Sequence, residues 1–226
     1  MNFKTAFLVL LLSSAPLRGE TIPHPGNGKV VPLHYFELTA NRADKVLWFR
    51  IPKNGSRSLV GVLNEAYGQR MTLDPKGIAW STYSEEEFAD YFKFTFVRNP
   101  WDRLLSCYKN KVEPRRYCGF RQCWGMSFTQ FVEYLAEKEL TKLDHHVHPQ
   151  VRSLPSGVEL DFIGRLENFD HDIYLLRERL GVNSSRAVPR RNATRHAHYR
   201  AYYTDRTKKI VAKLYKEDIE RFGYEF

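Results

Sequence analysis

Apolar residues change their period several times along the chain, and each change marks an element. Val46-Leu47-Trp48-Phe49 is a continuous apolar run ending at Ile51-Pro52, the pattern of a strand buried on both faces. Gly55 and two serines then open a helix with Leu59, Val62, Leu63 and Ala66 on one face and Gly68 as its stop. Lys93 to Val97 predicts a second strand. Asn99-Pro100 caps a helix carrying Trp101, Leu104, Leu105 and Tyr108 at i, i+3, i+4 and i+7. Another helix is expected over Ser127 to Glu137. Asp161-Phe162-Ile163-Gly164 predicts a third short strand, and the helix after it carries Ile173, Leu176 and Leu180 before Gly181. Val211, Leu214, Tyr215, Ile219 and Phe222 form the stripe of one last helix. Strand, loop and helix, three times over, predict an α/β domain with a mostly parallel sheet.

The remaining stretches carry less pattern. Residues 20–44 are rich in Pro, Gly and His without a period and read as a lead-in arm before a domain over 45–226. Residues 69–90 are mixed, and 111–126 form a basic, cysteine-bearing excursion. Residues 1–19 differ again: Lys4, the apolar run Ala6 to Leu12, then Ser13-Ser14-Ala15. A positive start, a short apolar centre and small residues beyond it read as a secretory signal peptide. The run falls short of the roughly 20 residues that span a bilayer, which makes a short signal-anchor the second choice.

Composition narrows the partners. The 226 residues hold 35 Lys+Arg against 26 Asp+Glu, a formal charge of +9. One globular domain with an anion-attracting surface follows, and a disordered chain or disulfide-dense miniprotein is excluded. Cys118 and Cys123 flank Gly-Phe-Arg-Gln in a polar stretch, where a local disulfide is expected if the compartment is oxidising, while Cys107 reads as a buried apolar residue. Asn183-Ser-Ser and Asn192-Ala-Thr are glycosylation sequons.

Two loops carry the chemistry. Pro52-Lys53-Asn54-Gly55-Ser56-Arg57-Ser58 is a strand-to-helix turn at the carboxyl edge of the expected sheet. Such a turn points backbone N–H groups and a positive dipole at whatever lies above it, favouring phosphate or sulfate. Gly55 permits close approach, the serines donate hydroxyls, and Lys53 adds a mobile charge; a plain tight turn is the alternative. GxxxxGK[ST] occurs nowhere, which argues against a nucleotide kinase. The second loop runs Phe96-Val97-Arg98-Asn99-Pro100-Trp101-Asp102-Arg103-Leu104-Leu105-Ser106. Arg98 ends a strand at the same edge, and Ser106 lies about 10 Å along the helix from its cap, off the core stripe. An arginine fork and a nearby hydroxyl suit a terminal phosphate; a strand-end ion pair and an idle serine are the alternatives.

Residues 52–58 resemble the 5′-phosphosulfate loop of sulfotransferases, and Phe96 to Lys111 resembles their 3′-phosphate signature with the Arg-to-Ser spacing intact. Phe162-Ile-Gly-Arg-Leu-Glu-Asn-Phe169 is similar to the family's third segment, and Tyr199 to Tyr224 to the C-terminal end of its carbohydrate (Golgi-type) branch. The resemblance implies a P-loop-like, three-layer domain that binds 3′-phosphoadenosine 5′-phosphosulfate (PAPS) and moves its sulfuryl group to a carbohydrate hydroxyl in line, without a metal. Carried over, Pro52, Lys53, Asn54, Gly55, Ser56, Arg57 and Ser58 would hold the 5′-phosphosulfate, with Lys53 on the leaving-group oxygen. Arg98 and Ser106 would hold the 3′-phosphate, and Arg195 would approach the nucleotide. One departure is Leu166, where related enzymes often place an aromatic residue against adenine. The Golgi lumen or membrane is the implied location, with secretion as second choice. The implied partner is a glycan, acidic ones included, with no nucleic acid and no membrane beyond an uncleaved N-terminus.

The proton acceptor is expected in Asp144-His145-His146-Val147-His148-Pro149-Gln150, since histidine titrates near neutrality. His146 is the choice, on a His-x-x-Pro-Gln likeness to the carbohydrate branch. A zinc site of His145, His146 and His148, a merely structural histidine, and Glu65 as base are the alternatives. Lys111, Arg115, Arg116 and Arg121 near Tyr117 and Trp124 read as a wall for an acidic glycan or as a solvated loop. A secreted, non-catalytic module binding acidic polysaccharide through its basic face is the competing function.

Overall fold

The computed structural model describes residues 21–23, 30–32, 35–67, 79–184, 187–188 and 197–226. The expected signal peptide, the Asn192 sequon and Arg195 lie outside them. A small hairpin pairs β1 (Thr21–Pro23) with β2 (Val30–Pro32). Among the described residues the main sheet has five strands: β3 (Tyr35–Asn41), β4 (Val46–Phe49), β5 (Ala79–Thr82), β6 (Phe92–Val97) and β7 (Phe162–Arg165). Their spatial order is β5-β3-β4-β6-β7. The pairs β4·β6 and β6·β7 are parallel, whereas β3 runs antiparallel to both β4 and β5. The fold is mixed α/β, with four strands pointing one way and β3 against them.

That strand corrects the arm assigned to residues 20–44. Leu38 and Ala40 face the core and Glu37, Thr39 and Asn41 are buried as well, so β3 has no exposed polar face to produce alternation. Side chains of the parallel strands alternate between two apolar layers. Val46 and Trp48 of β4, with Phe94 and Phe96 of β6, pack against α1 (Ser56–Tyr67) and α4 (Phe169–Arg179). Leu38, Ala40, Leu47 and Phe49 pack on the opposite side with Phe88, Leu154 and Phe222. Gly164 on β7 admits the Phe96 ring: a Cβ there would stand 2.4 Å from it.

Beside the sheet, α2 (Pro100–Cys107), α3 (Phe128–Ala136) and α5 (Asp205–Leu214) share a third cluster around Leu104, Leu105, Phe131 and Val211. Asn99 caps α2 as expected, its Oδ1 accepting from Trp101 N at 3.1 Å. The single last helix of the sequence reading is two, α5 and α6 (Lys216–Phe222), broken at Tyr215. Tyr215 is buried and its hydroxyl donates to Val147 O at 2.8 Å. Its backbone leaves helical geometry (φ −115°, ψ 29°), while its ring stays in the same apolar cluster as Val211. The cysteines are free thiols, contrary to the expected disulfide: Cys123 turns into the core beside Phe120 while Cys118 stays exposed. Among the described residues no helix is long and apolar enough to cross a membrane.

Candidate active site

Because β4, β6 and β7 are parallel, the loops that follow them meet at one edge, the place where α/β sheets receive ligands. The first loop turns sharply through two left-handed residues, Lys53 (φ 73°) and Gly55 (φ 77°). A Cβ on Gly55 would stand 2.8 Å from Leu166 Cδ1, so the position is closed to larger residues on two counts. The turn delivers the chain into α1, where Ser58 N and Leu59 N donate back to Gly55 O at 2.9 and 3.1 Å, and the positive end of the helix dipole points at the cleft. Lys53 Nζ donates to Asn110 Oδ1 at 3.1 Å. Burial, and behind it the charges of Arg98, Lys111 and Arg103, lowers its ammonium to about 8.

The second loop is tied to the first. Arg98 Nη1 donates to Lys53 O at 3.2 Å and its Nε to Asp102 Oδ2 at 2.8 Å. Below them Gln150 acts as the hub. Its Oε1 accepts from Asn54 Nδ2 at 2.8 Å and Arg98 N at 3.0 Å, and its Nε2 donates to Arg98 O at 2.8 Å. Gln150 N and Val151 N both donate to the Asp218 carboxylate on α6. Arg103, a buried residue of α2, donates to Pro52 O and His148 O at 3.0 and 2.8 Å. Glu167 accepts from Asn99 N at 2.6 Å and from Tyr224, which fixes the third segment to the second loop. Buried, charge-assisted bonds of this kind set positions firmly.

The result is one cleft of about 610 Å³. Pro52, Lys53, Gly55, Ser56, Arg57 and Ser58 line it together with Arg98, Ser106 and His146. Asn54 is the exception: its side chain is buried and holds Phe96 O and Gln150 beneath the surface, so it serves the loop rather than the cleft. Leu166 lines the cleft, and Phe169 and Tyr199 supply aromatic rings that Leu166 lacks. Of the expected basic wall only Lys111 reaches the cleft, its Nζ 4.0 Å from the Tyr117 ring centre. Arg115, Arg116 and Arg121 are exposed elsewhere. Glu65 pairs with Arg177 and Ser184 away from the cleft. Arg50 and Glu37 also line it, and sequence reading passed over both. Glu37 lay in the segment read as an arm; Arg50 was obscured by the apolar run around it.

In the histidine run, His146 Nδ1 stands 2.6 Å from Asp144 Oδ1, and Tyr117 donates to the other carboxylate oxygen at 2.8 Å. Burial works against the Asp144 charge, but its hydrogen bonds with the His146 ring and backbone hold it below the usual carboxylate range. Burial lowers both His145 and His146, so neutral imidazole is favoured. His148 Nε2 faces Leu143 O at 3.0 Å and must carry a proton to donate there, which removes that nitrogen from a zinc set. Asp144, His145 and His146 bring ligand-type atoms within 4.8 Å of one another, but the closest pair is already joined by its own hydrogen bond.

Comparison with known proteins gives the family. The family model described as "Sulfotransferase family" matches residues 36–225. Carbohydrate sulfotransferase 14 of Danio rerio is 29% identical over 162 residues, 59% of this chain and 44% of that protein. Carbohydrate sulfotransferase 12 of Mus musculus is 28% identical, covering 59% and 40%. Carbohydrate sulfotransferase 10 of Gallus gallus is 25% identical, covering 80% and 64%. The chain thus spans less than half the length of the first two. No solved structure is a significant match. With the two loops joined across one cleft and the family model covering nearly the whole folded region, the chain belongs to the sulfotransferase family.

Proposed function

We propose that the chain is a carbohydrate sulfotransferase that moves the sulfuryl group of PAPS to a sugar hydroxyl, on a P-loop-like, three-layer domain. The observation that carries this reading is the shared cleft, with the Lys53–Ser58 turn on one wall and Arg98 and Ser106 on another. PAPS supplies an activated sulfuryl group flanked by two phosphates, and the cleft has an anion cradle for each. Lys53, the serine hydroxyls and the α1 N-terminus face the 5′ end; Arg98, steadied by Asp102 and the Lys53 carbonyl, faces the 3′-phosphate with Ser106. Preplaced donors stabilise developing charge without having to reorganise. Lys53 is assigned to the leaving-group oxygen.

His146 is assigned to take the acceptor's proton. Its Nδ1 is held by Asp144, which leaves Nε2 as the basic nitrogen, the orientation logic of a His–carboxylate pair. Pro52 and the buried Asn54 are assigned to shaping the loop, and Arg195 to the nucleotide. The names of the relatives support a carbohydrate acceptor; the N-terminal signal pattern and the exposed Asn183 sequon position support a location in the secretory pathway, assigned to the Golgi lumen or membrane. The test is labelled-sulfate transfer from PAPS to a panel of desulfated glycosaminoglycans and neutral oligosaccharides. Transfer to at least one member is expected. No transfer, together with no binding of the product adenosine 3′,5′-bisphosphate (PAP), would leave the non-catalytic polysaccharide binder as the better reading.

A further inference from the structure

A second cavity, of about 330 Å³, adjoins the donor cleft. Both are lined by Glu37, Arg50, Pro52 and His145, so these four side chains form the partition between them. The second cavity touches neither Arg98 nor Ser106. It therefore meets the cleft where Arg50 and Pro52 lead into the Lys53 turn, the end assigned above to the sulfuryl group. Phe36, Val151 and Leu154 give it an apolar wall, and Thr141, Ser153 and Ser156 line it with hydroxyls. Its size is at the low end of small-ligand sites, roughly 300–1,000 Å³. An apolar wall, hydroxyl partners and a buried carboxylate suit one sugar ring.

Glu37 is the unusual member of the partition. Its carboxylate is buried, with Oε2 3.6 Å from Arg50 Nε and Oε1 3.5 Å from His145 Nε2. A buried guanidinium and carboxylate normally close to about 2.7–2.9 Å. Here the pair stands open, and Arg50 Nε and Nη1 are buried without a hydrogen-bond partner. The open pair leaves lone pairs of Glu37 available to a third group; burial raises its carboxyl to about 7 against the pull of the Arg50 charge, and once ionised it accepts from hydroxyls without donating in return.

Resting on the donor reading above, we propose that the smaller cavity admits one sugar unit of the acceptor and that Glu37 accepts hydrogen bonds from the ring hydroxyls beside the one to be sulfated. The reacting hydroxyl then faces the donor cleft, where His146 lines the wall and Glu37 has no part in moving its proton. Glu37 is a substrate-positioning residue, and its loss should appear in acceptor affinity and not in donor binding.

The experiment measures PAP binding by calorimetry and steady-state transfer to whichever glycan of the panel is sulfated, for native protein, Glu37→Gln, Glu37→Asp and Ser156→Trp. Expected are PAP affinities within twofold of native throughout. Glu37→Gln should lower kcat/KM about 10- to 100-fold, the loss of hydrogen bonds to a charged group, with the change carried by the acceptor KM. Glu37→Asp should recover part of it. Ser156 is exposed at the cavity mouth, so Ser156→Trp should raise the acceptor KM even if the Glu37 variants fail to fold. Native acceptor KM in both Glu37→Gln and Ser156→Trp overturns the proposal, as does PAP binding that falls in step with transfer. Native protein that neither binds PAP nor transfers sulfate overturns the donor reading, and this inference with it; PAP binding and transfer with unaltered variants overturn this inference alone.

Discussion

Replacing Gln150 with leucine tests whether the site is held by its buried hub. The side chain is fully buried, and leucine is close to it in volume, so the loss is polar and the cavity small. Three hydrogen bonds disappear: two to the backbone of Arg98 and one to Asn54. Asn54 Nδ2 retains Phe96 O at 2.7 Å, but the N–H and C=O of Arg98 are left unmet. A buried polar group without a partner costs about 1–3 kcal/mol, so two cost about 2–6 kcal/mol, a large part of the ~5–15 kcal/mol of an ordinary domain. The same atoms fix Arg98 and the Lys53 turn relative to each other, so PAP affinity should fall by about tenfold or more, the equivalent of ~1.4 kcal/mol. Urea denaturation gives the first quantity, and calorimetric titration with PAP below the variant's transition gives the second. A midpoint unchanged from native, with PAP binding within twofold, would refute the idea that this side chain joins the two loops.

Two further outcomes follow from the same loops. Lys53 titrates at about 8 in the unliganded protein, below its usual 10.5; an anion beside it favours the charged form and raises that value. Affinity for PAP should therefore decline as pH rises through about 8, and binding above that pH should take up a proton, which calorimetry in buffers of different ionisation enthalpy detects. Gly55→Ala forces a Cβ toward Leu166 at a positive φ and should cost about 1–3 kcal/mol of stability while weakening PAP binding, whereas a native melting temperature would show that the turn is not constrained.

Much of the site was legible because it is local. Val46–Phe49 and Lys93–Val97 read as strands because both faces are buried, and the anion-binding character of 52–58 and 98–106 follows from strand-to-helix turns with Gly, Ser and basic residues. What escaped is non-local. Gln150 joins Asn54 and Arg98 across 96 and 52 positions of sequence, and no local pattern marks such a bond. β3 hid because its polar residues are buried with partners: Glu37 lies by Arg50 and His145 from other segments, and Asn41 turns inward onto the Asp44 side chain and two N–H groups of the turn that follows it. The break at Tyr215 falls inside a continuous apolar stripe, which carries no sign of the non-helical backbone there or of the bond to Val147.

The central claim is that two cradles grip the two ends of one adenylate. Its most direct test is calorimetric titration of PAP and of adenosine 5′-phosphate, which lacks the 3′-phosphate, into native protein, Lys53→Ala and Arg98→Ala. Native protein should prefer PAP; Arg98→Ala should erase the preference while still binding through the 5′ end; Lys53→Ala should weaken both ligands alike. Native protein that binds the two equally, or an Arg98→Ala variant that keeps the full preference for PAP, would contradict it.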